Sequence, residues 1–177
     1  MEQNVNQILL SEAAKKGVVL GVIFCAMFVM VFAQLYVPLL LLVLLAGIII
    51  VPVLAYKWLR RWFVESGYSL RFPSLWLAGI VMFMCGSLIM AVGIYVVLKV
   101  FLPDLIPNLL NAMTEMAAVA TDPVLKEQAA AVEQLVAETG VPRPIDVALQ
   151  TAWSGIFTGT ILTLILSGLI VSLKPRS

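Results

Sequence analysis

The side chains with the most evident chemistry in this chain are clustered in one short basic and aromatic segment. Residues 57–65 read Lys-Trp-Leu-Arg-Arg-Trp-Phe-Val-Glu. At helical spacing the rings share one face of this segment, and Lys57, Arg60 and Arg61 share the opposite face. Such a helix would lie in a membrane interface with its cations on phosphate groups. We expect Lys57, Arg60, Arg61 and Arg71 to contact anionic lipid headgroups, although the positive-inside bias also explains the segment as an ordinary topological anchor.

The side chains that usually perform acid–base or metal chemistry are largely missing. The chain has no histidine, and its two cysteines, Cys25 and Cys85, lie in separate apolar runs. Histidine is the usual general base at neutral pH and the commonest metal ligand, so histidine-dependent triads and zinc sites are excluded. Ser87, Ser154 and Ser167 have no lysine beside them in the sequence. We therefore expect a protein that is not an enzyme and that has no catalytic residue, metal site or cofactor.

The amino-acid composition is typical of a membrane protein. Of the 177 residues, 62% are hydrophobic and 12% are charged, and the net charge is +1. A soluble domain is about half apolar and about one quarter charged. A nearly neutral chain has no general attraction for polyanions, so we also expect no nucleic-acid partner.

Four uncharged runs are long enough to cross a bilayer as helices. A helix needs about 20 apolar residues to cross a hydrocarbon core of about 30 Å. The first uncharged run is twice that long and contains Pro38, which suits the first turn of a second helix. We therefore predict an all-α polytopic membrane protein, a single membrane domain over residues 1–177. Its four transmembrane helices are predicted at about residues 17–35, 38–56, 75–98 and 153–173.

The basic residues are distributed unevenly among the segments outside the predicted spans. Eight of the eleven lie in the N-terminal segment, in the loop between spans two and three, and at the C-terminus. These three segments fall on one side of the membrane if there are four spans, and basic loops stay in the cytoplasm. The sequence therefore predicts that both termini are cytoplasmic and that residues 57–65 form a cytoplasmic interfacial helix.

The long acidic loop is predicted to form an extracytoplasmic amphipathic helical hairpin over residues 104–140. Apolar residues recur at helical spacing over residues 105–120 and again over residues 124–138. Between the two stretches, Asp122 can cap a new helix and Pro123 fits its first position. The hairpin is either a structural cap or a ligand-binding element.

Small residues recur at four- and seven-residue steps within the predicted spans. Such stripes allow helices to approach closely, which drives packing in lipid. They can serve packing among the spans of this chain, or they can form the face of a homodimer or of a partner protein. The glycines concerned are Gly17, Gly21, Gly79, Gly86, Gly93, Gly155 and Gly159.

Three short segments and the order of the spans carry a resemblance to a known family. The segments are Lys16-Gly17 with Gly21, Phe101-Leu102-Pro103-Asp104, and Ser154-Gly155-Ile156-Phe157-Thr158-Gly159 with the late Ser167. With the paired second span, the outer helical segment and the basic tail, this layout resembles the domain-of-unknown-function family 4199 of Bacteroidota inner-membrane proteins. The resemblance implies a four-helix protein of the bacterial inner membrane with no established activity. Members of that family are often encoded beside polyprenyl-phosphate glycosyltransferases, which implies an accessory role.

Two functions from different classes remain as hypotheses. The first is a non-catalytic accessory or scaffold subunit for a membrane or envelope lipid or glycan process, with anionic lipids and a homodimer or membrane glycosyltransferase as partners. The alternative is a small lipid or apolar-solute transporter acting as a dimer. A transporter needs a polar cavity, and the residues that could line one are Gln34, Ser87, Thr158, Thr160 and Thr163.

Overall fold

The structure is a computed structural model that describes most of the chain. The described residues are 2–33, 40–68, 70–119, 127, 130–132, 134, 136–138 and 140–173. Within them every regular element is helical, in the order α1 (Glu2–Ala33), α2 (Leu40–Glu65), α3 (Phe72–Val96), a π-helical turn (Val97–Phe101), α4 (Leu105–Val119) and α5 (Pro144–Ser172).

Four of these helices are long and apolar enough to cross a membrane. The qualifying segments are Gln7–Val31, Leu42–Glu65, Phe72–Phe101 and Pro144–Ser172. They correspond in order to the four predicted spans, so the prediction of an all-α fold with four membrane-spanning helices is confirmed. The multi-pass character of the protein follows from the same lengths and compositions.

The helices extend beyond the uncharged runs from which the spans were predicted. Helix α1 already begins at Glu2, and α2 continues past Pro52 and the first basic residues to Glu65. The segment 57–65 is therefore not a separate interfacial helix but the last turns of α2. A drop in hydropathy marks where a helix leaves lipid, but it does not interrupt the helical hydrogen bonds.

A glycine-based cap ends α2. The amide of Gly67 donates to the carbonyl of Val64 at 2.9 Å, and the amide of Tyr68 donates to the carbonyl of Phe63 at 3.0 Å. This is the hydrogen-bond pattern of a Schellman motif, which places Gly67 in the left-handed region at φ 65°. The rings of Tyr68 and Phe63 meet edge to face at 5.4 Å, which supplies the apolar contact that accompanies this motif.

The chain forms two compact units, of which the first contains residues 1–93 and 150–177. Two clusters of buried apolar side chains lie within this unit. One draws on α1, α2 and α3 and comprises Leu9, Ala13, Leu20, Val51, Ala55, Ala78, Met82 and Phe83. The other draws on α2, α3 and α5 and comprises Leu59, Phe63, Leu75 and Ile170.

The second unit comprises residues 94–149. In its first part the π-helical turn ends where the amide of Leu102 donates to the carbonyl of Val97 at 3.0 Å, and α4 follows. The first stretch of the predicted hairpin is therefore helical, as α4. Residues 130–132 and 136–138 of the second arm are helical, whereas the predicted break at Asp122 and Pro123 lies outside the described residues.

A reciprocal cap begins α5 earlier than the last uncharged run suggests. The backbone amide of Arg143 donates to Asp146 Oδ2 at 3.1 Å, and the amide of Asp146 donates to the carbonyl of Arg143 at 2.9 Å. Pro144 occupies the first helical position, where its missing amide hydrogen has no cost. The helix thus starts well before the predicted span at about residue 153.

Candidate functional site

Four of the predicted packing or partner glycines bring α1 against α3. A methyl group on Gly17 would lie 2.5 Å from the carbonyl oxygen of Met82, and one on Gly21 would lie 2.9 Å from that of Gly86. One on Gly93 would lie 2.5 Å from the Sγ atom of Cys25. The two helices therefore approach with backbone nearly on backbone, which only glycine permits.

The other three predicted glycines lie between α3 and α5. A methyl group on Gly79 would lie 2.6 Å from Thr163 Cβ, and one on Gly155 would lie 2.5 Å from Ser87 Oγ. Gly159 accommodates the ring of Phe83. All seven glycines thus face helices of this same chain, within its first unit.

The four predicted headgroup-contact residues lie at one end of the first unit, which we call the basic end. Lys57, Arg60 and Arg61 are exposed on the last turns of α2, and Arg71 is exposed where its carbonyl accepts the first amide bonds of α3. With its 26 residues α2 is about 39 Å long, more than the hydrocarbon thickness of about 30 Å. Its last turns can therefore reach the headgroup layer.

Some cations of the basic end are paired and others are not. Arg61 Nε donates to Glu65 Oε1 at 2.7 Å, and Lys15 Nζ donates to Glu12 Oε1 at 2.7 Å. Among the described residues, Lys57 and Arg60 have no carboxylate within ion-pair distance. Unpaired cations retain their full attraction for phosphate.

One cavity at the basic end lies between α1 and α2, and we call it the α1–α2 cavity. Its volume is about 340 Å³. The ammonium of Lys16 sits above the ring of Trp58 at 5.5 Å from its centroid, on one wall. The lining residues are Ile8, Leu9, Glu12, Lys16, Trp58, Arg61, Trp62, Glu65, Ser66 and Leu70.

Another cavity lies between α2 and α5 and has a volume of about 270 Å³. Its lining residues are Tyr56, Arg60, Phe63, Val64, Tyr68, Ile170 and Leu173. Among the described residues that line it, the guanidinium of Arg60 is the one cation and lies 6.0 Å from the centroid of the Tyr56 ring. Tyr68 adopts φ 61°, which is rare for a bulky residue.

Two of the hydroxyl groups proposed as a transport lining donate to backbone carbonyls of their own helix. Thr160 Oγ1 donates to the carbonyl of Ile156 at 2.8 Å, and Thr163 Oγ1 donates to that of Thr160 at 3.2 Å. Ser87 is fully buried, and Thr158 is exposed. Gln34 lies outside the described residues. Among the residues that the structure describes, no three histidine, cysteine or acidic side chains come together as a metal site.

A comparison with protein families assigns the chain. The family model for proteins of unknown function DUF4199 matches residues 15–171. The chain belongs to this family. The resemblance inferred from the sequence is thereby confirmed, and the matched range includes the glycines between α1, α3 and α5 as well as the basic end. No curated protein and no solved structure matches this DUF4199 protein.

Sequence reasoning missed the α1–α2 cavity of the DUF4199 protein. It treated residues 57–65 alone and did not consider what α1 places beside them. In a pair of spans joined by a short connection, residues equally distant from that connection face each other, and both Met27 with Gly47 and Lys16 with Trp58 follow this register. The start of the second span predicted at Pro38 was the signal that could have brought Lys16 and Trp58 together.

Proposed function

We propose that this DUF4199 protein is a non-catalytic accessory subunit of a membrane or envelope lipid or glycan process in the bacterial inner membrane. In this proposal both termini are cytoplasmic, and Lys57, Arg60, Arg61 and Arg71 bind anionic lipid headgroups. A membrane glycosyltransferase or a second copy of the chain is the protein partner.

One observation carries the lipid-binding part of the proposal. The exposed cations of the basic end follow the apolar part of a helix that is longer than the hydrocarbon core is thick. Each Lys or Arg near an anionic membrane surface contributes about 1 kcal/mol to binding. Half-buried Trp58 and Trp62 beside them are the side chains that prefer the headgroup zone.

The accessory role is supported by the inventory of side chains. The chain has no histidine, and within the described residues Ser87 Oγ and Ser167 Oγ are buried with no hydrogen-bond partner. A buried hydroxyl without a general base is a poor nucleophile. Because all seven glycines pack inside the first unit, a protein partner would contact other surfaces, such as the basic end.

Lipid binding is tested by native mass spectrometry of the full chain with phosphatidylglycerol and phosphatidylcholine. We expect wild type to prefer phosphatidylglycerol and K57Q/R60Q/R71Q to lose at least about tenfold of that affinity. High salt should weaken the wild-type preference. The matched control is R143Q, an exposed arginine of the second unit, which should bind as wild type does.

Equal binding of both lipids by wild type and by the triple variant would contradict the lipid-binding part. The accessory role is tested separately by crosslinking in mild detergent after native expression. Recovery of a stable partner or of a homodimer is expected, and a strictly monomeric protein would contradict it.

A further inference from the structure

We infer that the α1–α2 cavity binds the headgroup of a zwitterionic aminophospholipid, in which a phosphate diester is joined to a primary ammonium group. The surface formed by Lys57, Arg60, Arg61 and Arg71, which we call the anionic-lipid surface, lies at the same basic end but differs from this site in ligand chemistry and in most of its residues. Of the proposed headgroup-contact residues, only Arg61 lines it.

The charges that line the cavity come in both signs. Two cations, on Lys16 and Arg61, and two carboxylates, on Glu12 and Glu65, line the same space. The formal charges of these four lining groups cancel, and Lys15, which is not in the lining, is paired with Glu12. An anionic headgroup would therefore be repelled by the two carboxylates as well as attracted by the cations. A headgroup with a phosphate and an ammonium has a complementary partner for each sign.

The carboxylates remain able to accept a further hydrogen bond from a ligand. The Glu12 and Glu65 side chains are 42% and 55% exposed, although each accepts one bond from a neighbouring cation. A carboxylate offers about four lone-pair sites, so one bond leaves most of its capacity unused. A primary ammonium has three donors and can bind both carboxylates together.

A phosphate has its own partner on the other wall. Lys16 has no carboxylate within ion-pair distance among the described residues, and its ammonium is held above the Trp58 ring. Arg61 presents a planar fork of donors, and its bond to a carboxylate among the described residues is the one from Nε to Glu65. Such a fork binds the paired oxygens of a phosphate well.

The remaining lining fits a lipid rather than a small soluble molecule. Leu9 is buried, and half-buried Trp58, Trp62 and Leu70 pack on the same apolar cluster. Ile8 at the rim is 66% exposed, which provides an apolar path for acyl chains. The volume of about 340 Å³ is near the lower end of ligand pockets, which hold about 300–1,000 Å³.

The test compares lipids by native mass spectrometry and by quenching of tryptophan fluorescence in the full chain. Phosphatidylethanolamine should bind in preference to phosphatidylcholine, whose quaternary ammonium cannot donate hydrogen bonds. In E12Q/E65Q, binding of phosphatidylethanolamine should fall about fivefold, whereas phosphatidylglycerol should bind as well as before or better. The single variants E12Q and E65Q should each give part of the effect.

The controls separate this site from the anionic-lipid surface. K57Q/R60Q/R71Q changes no residue that lines the cavity and should keep its affinity for phosphatidylethanolamine. K16Q should weaken the binding of both phosphatidylethanolamine and phosphatidylglycerol, because the phosphate group loses a partner. An unchanged lipid preference in E12Q/E65Q and in both single variants would overturn the inference. So would full displacement of the lipid by an equal concentration of soluble glycerophosphoethanolamine, which would show a soluble ligand.

Discussion

The Ser87 hydroxyl in this bundle acts through its size rather than through its polarity. Its side chain is fully buried and has no hydrogen-bond partner among the described residues, and it lies against Gly155 of α5. In lipid the hydrophobic effect does not hold helices together, so close fit must do so. The gap between α3 and α5 has room for the serine at position 87 only because position 155 is a glycine.

The first prediction concerns this pair. Gly155→Ala places a methyl group 2.5 Å from Ser87 Oγ and should destabilise the bundle by about 1–3 kcal/mol. The double variant S87G/G155A restores the space and should recover most of the loss. The measurement is the midpoint of unfolding in mixed micelles.

The matched control is Gly168→Ala on the same helix. A methyl group there would meet its nearest atom, Phe72 Cε2, at 3.9 Å, which is an ordinary contact. If Gly155→Ala and Gly168→Ala unfold at the same midpoint, the close approach of α3 and α5 at Ser87 is not present.

At the scale of the element, capping residues and not hydropathy determine where these helices end. Gly67 ends α2, and Pro144 with Asp146 begins α5, and neither helix end was predicted from these residues. The uncharged runs predicted the four long apolar helices but not the residues at which the helices begin and end. The packing partners of Gly79 or Gly155 could not be read in the same way, because four-residue spacing looks alike within a chain and between chains.

The second prediction tests the cap of α2. Gly67→Ala meets no atom within 4 Å, so its whole effect comes from φ 65°. A left-handed backbone costs a residue with a Cβ roughly 1–2 kcal/mol, and we expect a loss of that order. The measurement is hydrogen exchange, in which the amides of Gly67 and Tyr68 should exchange faster in Gly67→Ala than in wild type.

The comparison variant is Gly168→Ala, which adds the same methyl group within a helix and should leave those amides protected. Unchanged exchange of these amides in Gly67→Ala would contradict the Schellman motif as the end of α2. Gly67→Ala should also lower the affinity of the α1–α2 cavity for lipid, because Ser66 and Leu70 beside the cap line that cavity.

At the scale of the whole molecule, charge asymmetry and span number together imply one orientation. The basic residues at the N-terminus, at the end of α2 and at the C-terminus share a side if the chain crosses four times. The remaining three, Lys99, Lys126 and Arg143, stand among an excess of carboxylates after α3. The positive-inside rule therefore predicts that the first group is cytoplasmic.

The last prediction follows from this orientation and uses single cysteines in a background without Cys25 and Cys85. Glu115→Cys, exposed on α4, should react with a membrane-impermeant maleimide in intact cells. Lys57→Cys, exposed on α2, should react only after the membrane is opened. Labelling of both positions from the outside would place the basic end away from the cytoplasm. In that case the cations would no longer meet the anionic cytoplasmic leaflet, and the proposed binding of anionic lipids would lose its main electrostatic support.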